Sequence, residues 1–88
     1  MDPQAEEMLA RRRAGTCDKV ADKERELARS ARAKAAMARD PGQRANLEQL
    51  ARVHDDAAAL QTRAAIHFRR QADRMAVGLV VPEQPQTT

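Results

Sequence analysis

Apolar residues recur along this chain at an interval of eleven. Four sets show the interval: Leu9, Val20 and Ala31; Thr16, Leu27 and Ala38; Val53, Ala64 and Met75; and Ala57, Phe68 and Leu79. Three turns of α-helix take about 11 residues, so the members of each set share one helical face. The pattern predicts two helices, each with one narrow apolar stripe that is rich in alanine.

The beginning of the first helix carries several sequence signals. Asp2 can cap it, Pro3 suits the first helical position, and Glu6 and Glu7 complement the positive end of the helix dipole. The helical pattern then continues without interruption except at Gly15. We predict a helix from about residue 3 to about residue 39.

The segment Asp40-Pro41-Gly42-Gln43 interrupts the helical pattern near the middle of the chain. Proline disfavours helical geometry at the residue before it, so the first helix should break at Asp40. The same residues can start a new helix, with Asp40 as its cap, Pro41 at the first position and Gln43 reaching back as in a capping box. We predict a turn at 40–42 and a second helix over about 43–76.

Two stripes joined by a tight turn should face each other, so the predicted fold is all-α, an antiparallel helical hairpin over residues 1–78. Residues whose numbers sum to about 82 then lie side by side. An alanine-rich pair of this size buries little apolar area. Packing of two hairpins into a four-helix bundle, or against a protein partner, would bury the residues off the stripe: Met8, Met37, Leu47, Leu60 and Ile66.

Gly15 is the weakest position of the first helix. A glycine inside a helix lowers helix stability by about 1 kcal/mol relative to alanine, and Thr16 could act as the N-cap of a new helix that begins there. The alternatives are a break or kink at 14–16 and an unbroken helix with a weak point.

Composition agrees with the helical fold and limits the class of protein. The chain has 88 residues, enough for one small domain, and Phe68 is its only aromatic residue. The net charge of +3, with acids and bases interspersed, favours anionic partners only modestly. Cys17 is the single cysteine, which fits a reducing compartment, and no secretory signal is visible. The most apolar run, Met75–Val81, is too short to span a bilayer. We therefore expect a cytoplasmic protein that does not enter the membrane.

Arginines provide the first candidate site. In the predicted register Arg11, Arg12 and Arg13 lie near Arg69 and Arg70 at the open end of the hairpin. A second group shares one face of the second helix by its spacing: Arg63, His67, Arg70 and Arg74. Such a basic end could bind phosphate or an acidic partner. Alternatively these side chains are a solvated surface, paired locally as Glu7–Arg11 and Arg69–Asp73.

The end of the second helix provides another candidate. Gly78 should stop the helix, and residues 79–88 should form an apolar and then proline-rich flexible tail. Four apolar residues could dock on a partner: Val77, Leu79, Val80 and Val81. Exposed apolar segments usually mark an interface, although this one could instead fold over the open end of its own hairpin or of a dimer mate.

Residue types that carry catalysis or bind metals do not form a recognisable motif. Cys17 and His67 could approach each other, but neither His54 nor His67 has a His, Cys or carboxylate four residues away. In His54-Asp55-Asp56 the neighbouring carboxylates cannot face each other on a helix; His54 should lie at the seam edge with both carboxylates hydrated. We expect no cofactor, no metal and no catalytic site.

In size and layout the chain resembles the small secreted helical hairpins of the WXG100 kind. Those proteins have a Trp-x-Gly motif in the turn, where this chain has Asp40-Pro41-Gly42 and no tryptophan. The resemblance covers architecture alone. The leading functional hypothesis is a non-enzymatic protein–protein interaction module that acts as an adaptor or regulator. The alternative is a nucleic-acid-associated regulator that binds phosphate through its basic end.

Overall fold

A computed structural model describes residues 2–80 of the chain. It contains two helices, α1 (Pro3–Met37) and α2 (Pro41–Val80), which pack against each other along their length. The molecule is a rod of 72 × 25 × 16 Å. The predicted all-α helical hairpin is confirmed.

Aspartate caps the beginning of each helix. The Asp2 carboxylate accepts a hydrogen bond from the Gln4 backbone N–H at 3.1 Å, with Pro3 at the first helical position. The Asp40 carboxylate likewise accepts from the backbone N–H groups of Gly42 at 3.3 Å and Gln43 at 3.4 Å. The caps satisfy N–H groups that have no partner inside the helix, which fixes where each helix starts.

The turn lies two residues earlier than predicted. Helix α1 ends at Met37 because Ala38 is extended (φ −73°, ψ 131°), and α2 starts at Pro41, so the turn comprises residues 38–40. The Arg44 guanidinium donates to the Ala38 carbonyl at 2.7 Å and ties the turn to the second helix. Asp40 acts as the predicted cap, but within the described residues the Gln43 side chain makes no capping-box hydrogen bond back to it.

Neither Gly15 nor Gly78 interrupts a helix. Helix α1 is continuous through Gly15, and the Thr16 hydroxyl donates to the Arg12 carbonyl at 3.1 Å instead of capping a new start. Helix α2 continues through Gly78 to Val80, so the prediction of a stop at Gly78 was wrong. No glycine among the described residues has a positive φ, the conformation that lets glycine end a helix.

The residues buried between the helices repeat every seven positions, not every eleven. In α1 they are Ala14, Ala21, Ala28 and Ala35, together with Ala10 and Ala31; in α2 they are Ala51, Ala58, Ala65 and Ala72. A seven-residue repeat is typical of helices that wind around each other in a left-handed supercoil. The prediction of an eleven-residue stripe was therefore wrong, and Leu9, Val20, Leu27 and Val53 lie outside this seam.

The second position of each repeat holds larger, half-buried side chains. In α1 these are Cys17 and Glu24; in α2 they are Leu47, His54, Gln61, Phe68 and Met75. The prediction that Leu47 lies off the stripe was therefore wrong, whereas Met8, Met37, Leu60 and Ile66 lie off the seam as predicted and are exposed. The Arg13 guanidinium carbon lies 5.9 Å from the Phe68 ring centroid, in agreement with the predicted sum of about 82.

Candidate interaction surfaces

Polar pairs join the two helices along one side of the seam, which we call the ladder face. The Arg69 guanidinium donates to Asp18, that of Arg25 to the Thr62 hydroxyl at 2.7 Å, and that of Arg32 to Asp55. Each pair of residue numbers sums to 87, and successive pairs are seven residues apart on both helices. The ladder therefore follows the same repeat as the seam and marks the register between α1 and α2.

The two ion pairs of the ladder face shift the pKa of both partners. Hydrogen bonding and the positive charge of Arg69 lower the pKa of Asp18, and Arg32 lowers the pKa of Asp55 in the same way. The pKa of Arg32 and that of Arg69 are raised by the same bonds. All four side chains are about half exposed to solvent, so each pair stabilises the fold weakly.

Arg11 extends the ladder face toward the open end of the hairpin. Its guanidinium contacts Glu7 at 3.1 Å and reaches across to Asp73 at 3.3 Å. The predicted Glu7–Arg11 pair is confirmed. The predicted Arg69–Asp73 pair was wrong, because Asp73 binds Arg11 and Arg69 binds Asp18 on the other helix.

The opposite side of the seam is largely apolar. Leu9, Arg13 and Gln71 line one concave surface on this side. Val20 and Leu27 follow Arg13 at seven-residue intervals, and Leu50, Ala57 and Ala64 precede Gln71 at the same interval. Val53 and Leu60 lie in the neighbouring row of α2, three residues after Leu50 and Ala57. With Leu9 these residues form what we call the apolar face: Leu9, Val20, Leu27, Leu50, Val53, Ala57, Leu60 and Ala64. Its leucines and valines are between 37% and 62% exposed. The hairpin thus has a charged side and an apolar side.

Four of the predicted basic residues lie together on the outer surface of α2. Arg63, His67, Arg70 and Arg74 line one concave surface with Ile66, and we call these five residues the basic face. The His67 ring also packs edge-on against Phe68, with 5.6 Å between ring centroids. Of the ion pairs formed within residues 2–78, none involves these four side chains.

The other four predicted basic residues lie on different sides of the rod. Arg11 and Arg69 belong to the ladder face, where both pair with acids, and Arg13 packs over Phe68. Arg12 is exposed between them on α1. Three consecutive helical residues fan around the helix, so the Arg11–Arg13 triplet does not present one surface.

A polar pair that the sequence did not indicate lies within the seam. His54 Nδ1 and Glu24 Oε2 are 2.6 Å apart, across the two helices. The prediction placed His54 at the seam edge with hydrated neighbours; instead His54 has an acidic partner, and Asp55 binds Arg32. Only the register shows that residues 30 positions apart meet.

Cys17 and His67 do not form the pair considered from the sequence. Cys17 is half-buried in the seam, whereas His67 is exposed on the basic face. Among residues 2–78 no group of three or more His, Cys, Asp or Glu side chains could hold a metal ion.

The predicted docking segment is described only in part. Val77 is exposed on α2. Leu79 and Val80 belong to the backbone of α2, and their side chains lie outside the described residues, as does the whole of Val81.

Neither α1 nor α2, over the range that the structure covers, has a stretch that is both apolar and long enough to cross a membrane. Comparison of the chain with models of known protein families, with curated proteins and with solved structures finds no match.

Proposed function

We propose that this protein is a non-enzymatic interaction module, an adaptor or regulator, that works by packing its apolar face against a second copy of the chain. The observation that carries the proposal is the segregation of the two sides of the hairpin. Charged pairs satisfy one side, while leucines and valines remain exposed on the other. Exposed apolar surface of this extent marks an interaction site.

The weakness of the seam supports self-association. Every residue buried between the helices is an alanine, and no large side chain within the described part is fully buried. Burial stabilises a fold in proportion to the apolar area removed from water, about 25 cal/mol per Å², and an alanine methyl contributes little area. Of the ten large apolar side chains that are exposed among the described residues, six belong to the apolar face, so their burial would add the missing stabilisation.

The dimensions of the apolar face suit a dimer. In the hairpin register it runs from the level of Leu9 to that of Leu50, a length of about 35 Å at about 1.5 Å per residue. Two helices side by side are about 20 Å wide, which gives roughly 700 Å² on each copy. A standard interface buries about 800 Å² per partner. Two-fold packing of this face would form a four-helix bundle.

Sedimentation velocity over about 1–100 µM tests the proposal, with two double variants matched in exposure. Leu27→Gln with Leu60→Gln removes side chains of the apolar face that are 37% and 62% exposed. The control, Met8→Gln with Ile66→Gln, removes side chains that are 61% and 44% exposed elsewhere. The wild type and the control should sediment as dimers, and the apolar-face variant as a monomer with reduced helicity.

Two results would contradict self-association through this face. One is a wild type that remains a well-folded monomer throughout the concentration range. The other is an equal loss of dimer in both double variants, because the effect would then not depend on the apolar face.

The alternative function, binding of nucleic acid, is supported by the basic face alone. Binding that depends on phosphate contacts weakens steeply between about 50 and 200 mM salt, whereas apolar helix packing responds little. An electrophoretic mobility shift with duplex DNA and with RNA across that range separates the two functions.

A further inference from the structure

We propose that the basic face of α2 is a second docking site, which binds an acidic amphipathic helix of a partner protein. The proposal rests on the outer surface of α2 and does not require self-association through the apolar face. It concerns three arginines that form no ion pair within the described residues, Arg63, Arg70 and Arg74.

The three arginines and His67 form one row along the helix. Arg63, His67, Arg70 and Arg74 follow at steps of four, three and four residues, so they share a face over about 16 Å. They line a single concave surface, and within the described residues none is engaged in an ion pair. Their charges are therefore available to a partner.

Apolar side chains accompany the row of charges. Ile66 lies among the three arginines and His67 and is 44% exposed. Val77, which follows Arg70 by seven residues, is exposed at the end of the row. Asp56 precedes Arg63 by seven residues and is exposed at the opposite end. The surface is thus a three-turn mixture of cations and apolar groups, bounded at one end by an acid.

This mixture matches a helix better than a nucleic acid. Neutralisation of three phosphates by three arginines is small beside the 6–10 phosphate contacts of proteins that bind DNA tightly, which makes it weak at about 0.15 M salt. Phosphates also offer no contact to Ile66 or Val77. The only phenylalanine, Phe68, is half-buried in the seam under Arg13, which leaves the His67 imidazole as the one ring that the basic face displays for base stacking.

An acidic amphipathic helix offers complementary groups at the required distances. The Cβ atoms of helical residues three and four positions apart are about 5–6 Å apart, and glutamates at steps of four, three and four residues would repeat the spacing of Arg63, His67, Arg70 and Arg74. Arginine binds carboxylates through a planar fork of donors, which favours ordered pairing. Apolar residues beside the carboxylates would cover Ile66 and Val77.

Fluorescence anisotropy at about 50 mM salt tests the proposal with a labelled peptide of about 18 residues, long enough to form helix. This peptide, which we call the ordered peptide, is rich in alanine, with glutamates at steps of four, three and four residues and a flanking leucine. A second peptide has the same composition with its glutamates distributed around the helix. A labelled DNA duplex is the third probe.

Two triple variants of the full-length protein remove equal charge. The first is Arg63→Gln, Arg70→Gln and Arg74→Gln. The control is Arg12→Gln, Arg29→Gln and Arg39→Gln, three exposed arginines that form no ion pair within the described residues. The first should weaken binding of the ordered peptide about tenfold, since each exposed pair contributes modestly, and the control less than about threefold.

The ordered peptide should also bind more tightly than its redistributed counterpart and than the duplex. Equal losses in both triple variants would overturn the proposal, because net charge and not the basic face would then govern binding. Preference for the duplex, equal binding of the two peptides, or no binding of the ordered peptide to the wild type would also overturn it.

Discussion

Glu24 and His54 meet inside the seam, with 2.6 Å between Oε2 and Nδ1 and only 23% and 22% of their side chains exposed. The pair joins α1 to α2 where alanines otherwise fill the interface. A polar pair in an apolar seam restricts the register, because a shifted helix would leave each group without its partner.

We expect this pair to show a coupling energy of about 0.5–1.5 kcal/mol in a double-mutant cycle. The variants are Glu24→Gln, His54→Gln and the combination, with the free energy of unfolding measured by urea denaturation at pH 7. Each single change should destabilise the hairpin, and the combination should cost less than their sum. Additive effects would show that the two side chains do not stabilise each other.

Substitution of a seam alanine and of its exposed neighbour should show which alanines lie between the helices. Ala58 is 3% exposed, whereas its neighbour Ala59 is exposed. Ala58→Leu should cost about 1–3 kcal/mol because the helices must separate to admit the larger side chain. Ala59→Leu should change stability by less than about 0.5 kcal/mol. Thermal denaturation followed by circular dichroism measures both, and similar melting temperatures would contradict the assignment of the seam.

Gly15→Ala should stabilise α1. A Cβ atom added at Gly15 meets no atom within 4 Å, and the helix is unbroken there. The gain should be about 0.5–1 kcal/mol, the usual difference between glycine and alanine inside a helix. Gly78→Ala also meets no atom, but its gain should be smaller because it lies near the end of α2. A loss of stability in Gly15→Ala, read from urea denaturation, would indicate that glycine is required at this position.

Stability should decline in acid as the ladder face loses its charges. The pKa of Asp18 and that of Asp55 are lower in the folded protein than the ordinary value of 3.8. The folded state therefore binds fewer protons than the unfolded state, and the stabilisation is complete above that ordinary value and lost as the pH falls through the folded pKa values. Melting temperatures between pH 7 and pH 2 test this. Asp18→Asn with Asp55→Asn should flatten the decline, and an unchanged profile would contradict the assignment.

The hairpin was predictable because its determinants are local. Asp2-Pro3 and Asp40-Pro41 cap and start the helices through side chains that reach two or three residues, and such signals are readable in sequence. The end of α2 was not predictable from Gly78, since a glycine ends a helix only when the chain adopts the left-handed conformation there.

The seam repeat was misassigned because alanine is too frequent to mark a single face. The eleven-residue sets predict that larger apolar residues such as Leu9, Val20 and Leu27 form the packed stripe, whereas the structure places these residues beside the seam. Helices that pack through alanines bury small side chains and leave larger ones on the flank. The partners of Arg69 and His54 depend on this register, so local spacing could not identify them.

The direction of the ion pairs in the ladder face alternates along the rod. At the open end the cation of Arg11 stands on α1, in the next pair that of Arg69 stands on α2, and nearer the turn that of Arg32 stands on α1. Each of these pairs carries no net charge, whereas Arg63, Arg70 and Arg74 place three positive charges on the outer side of α2 that no ion pair within the described residues offsets. An approaching anionic macromolecule would be turned toward that side before any contact forms.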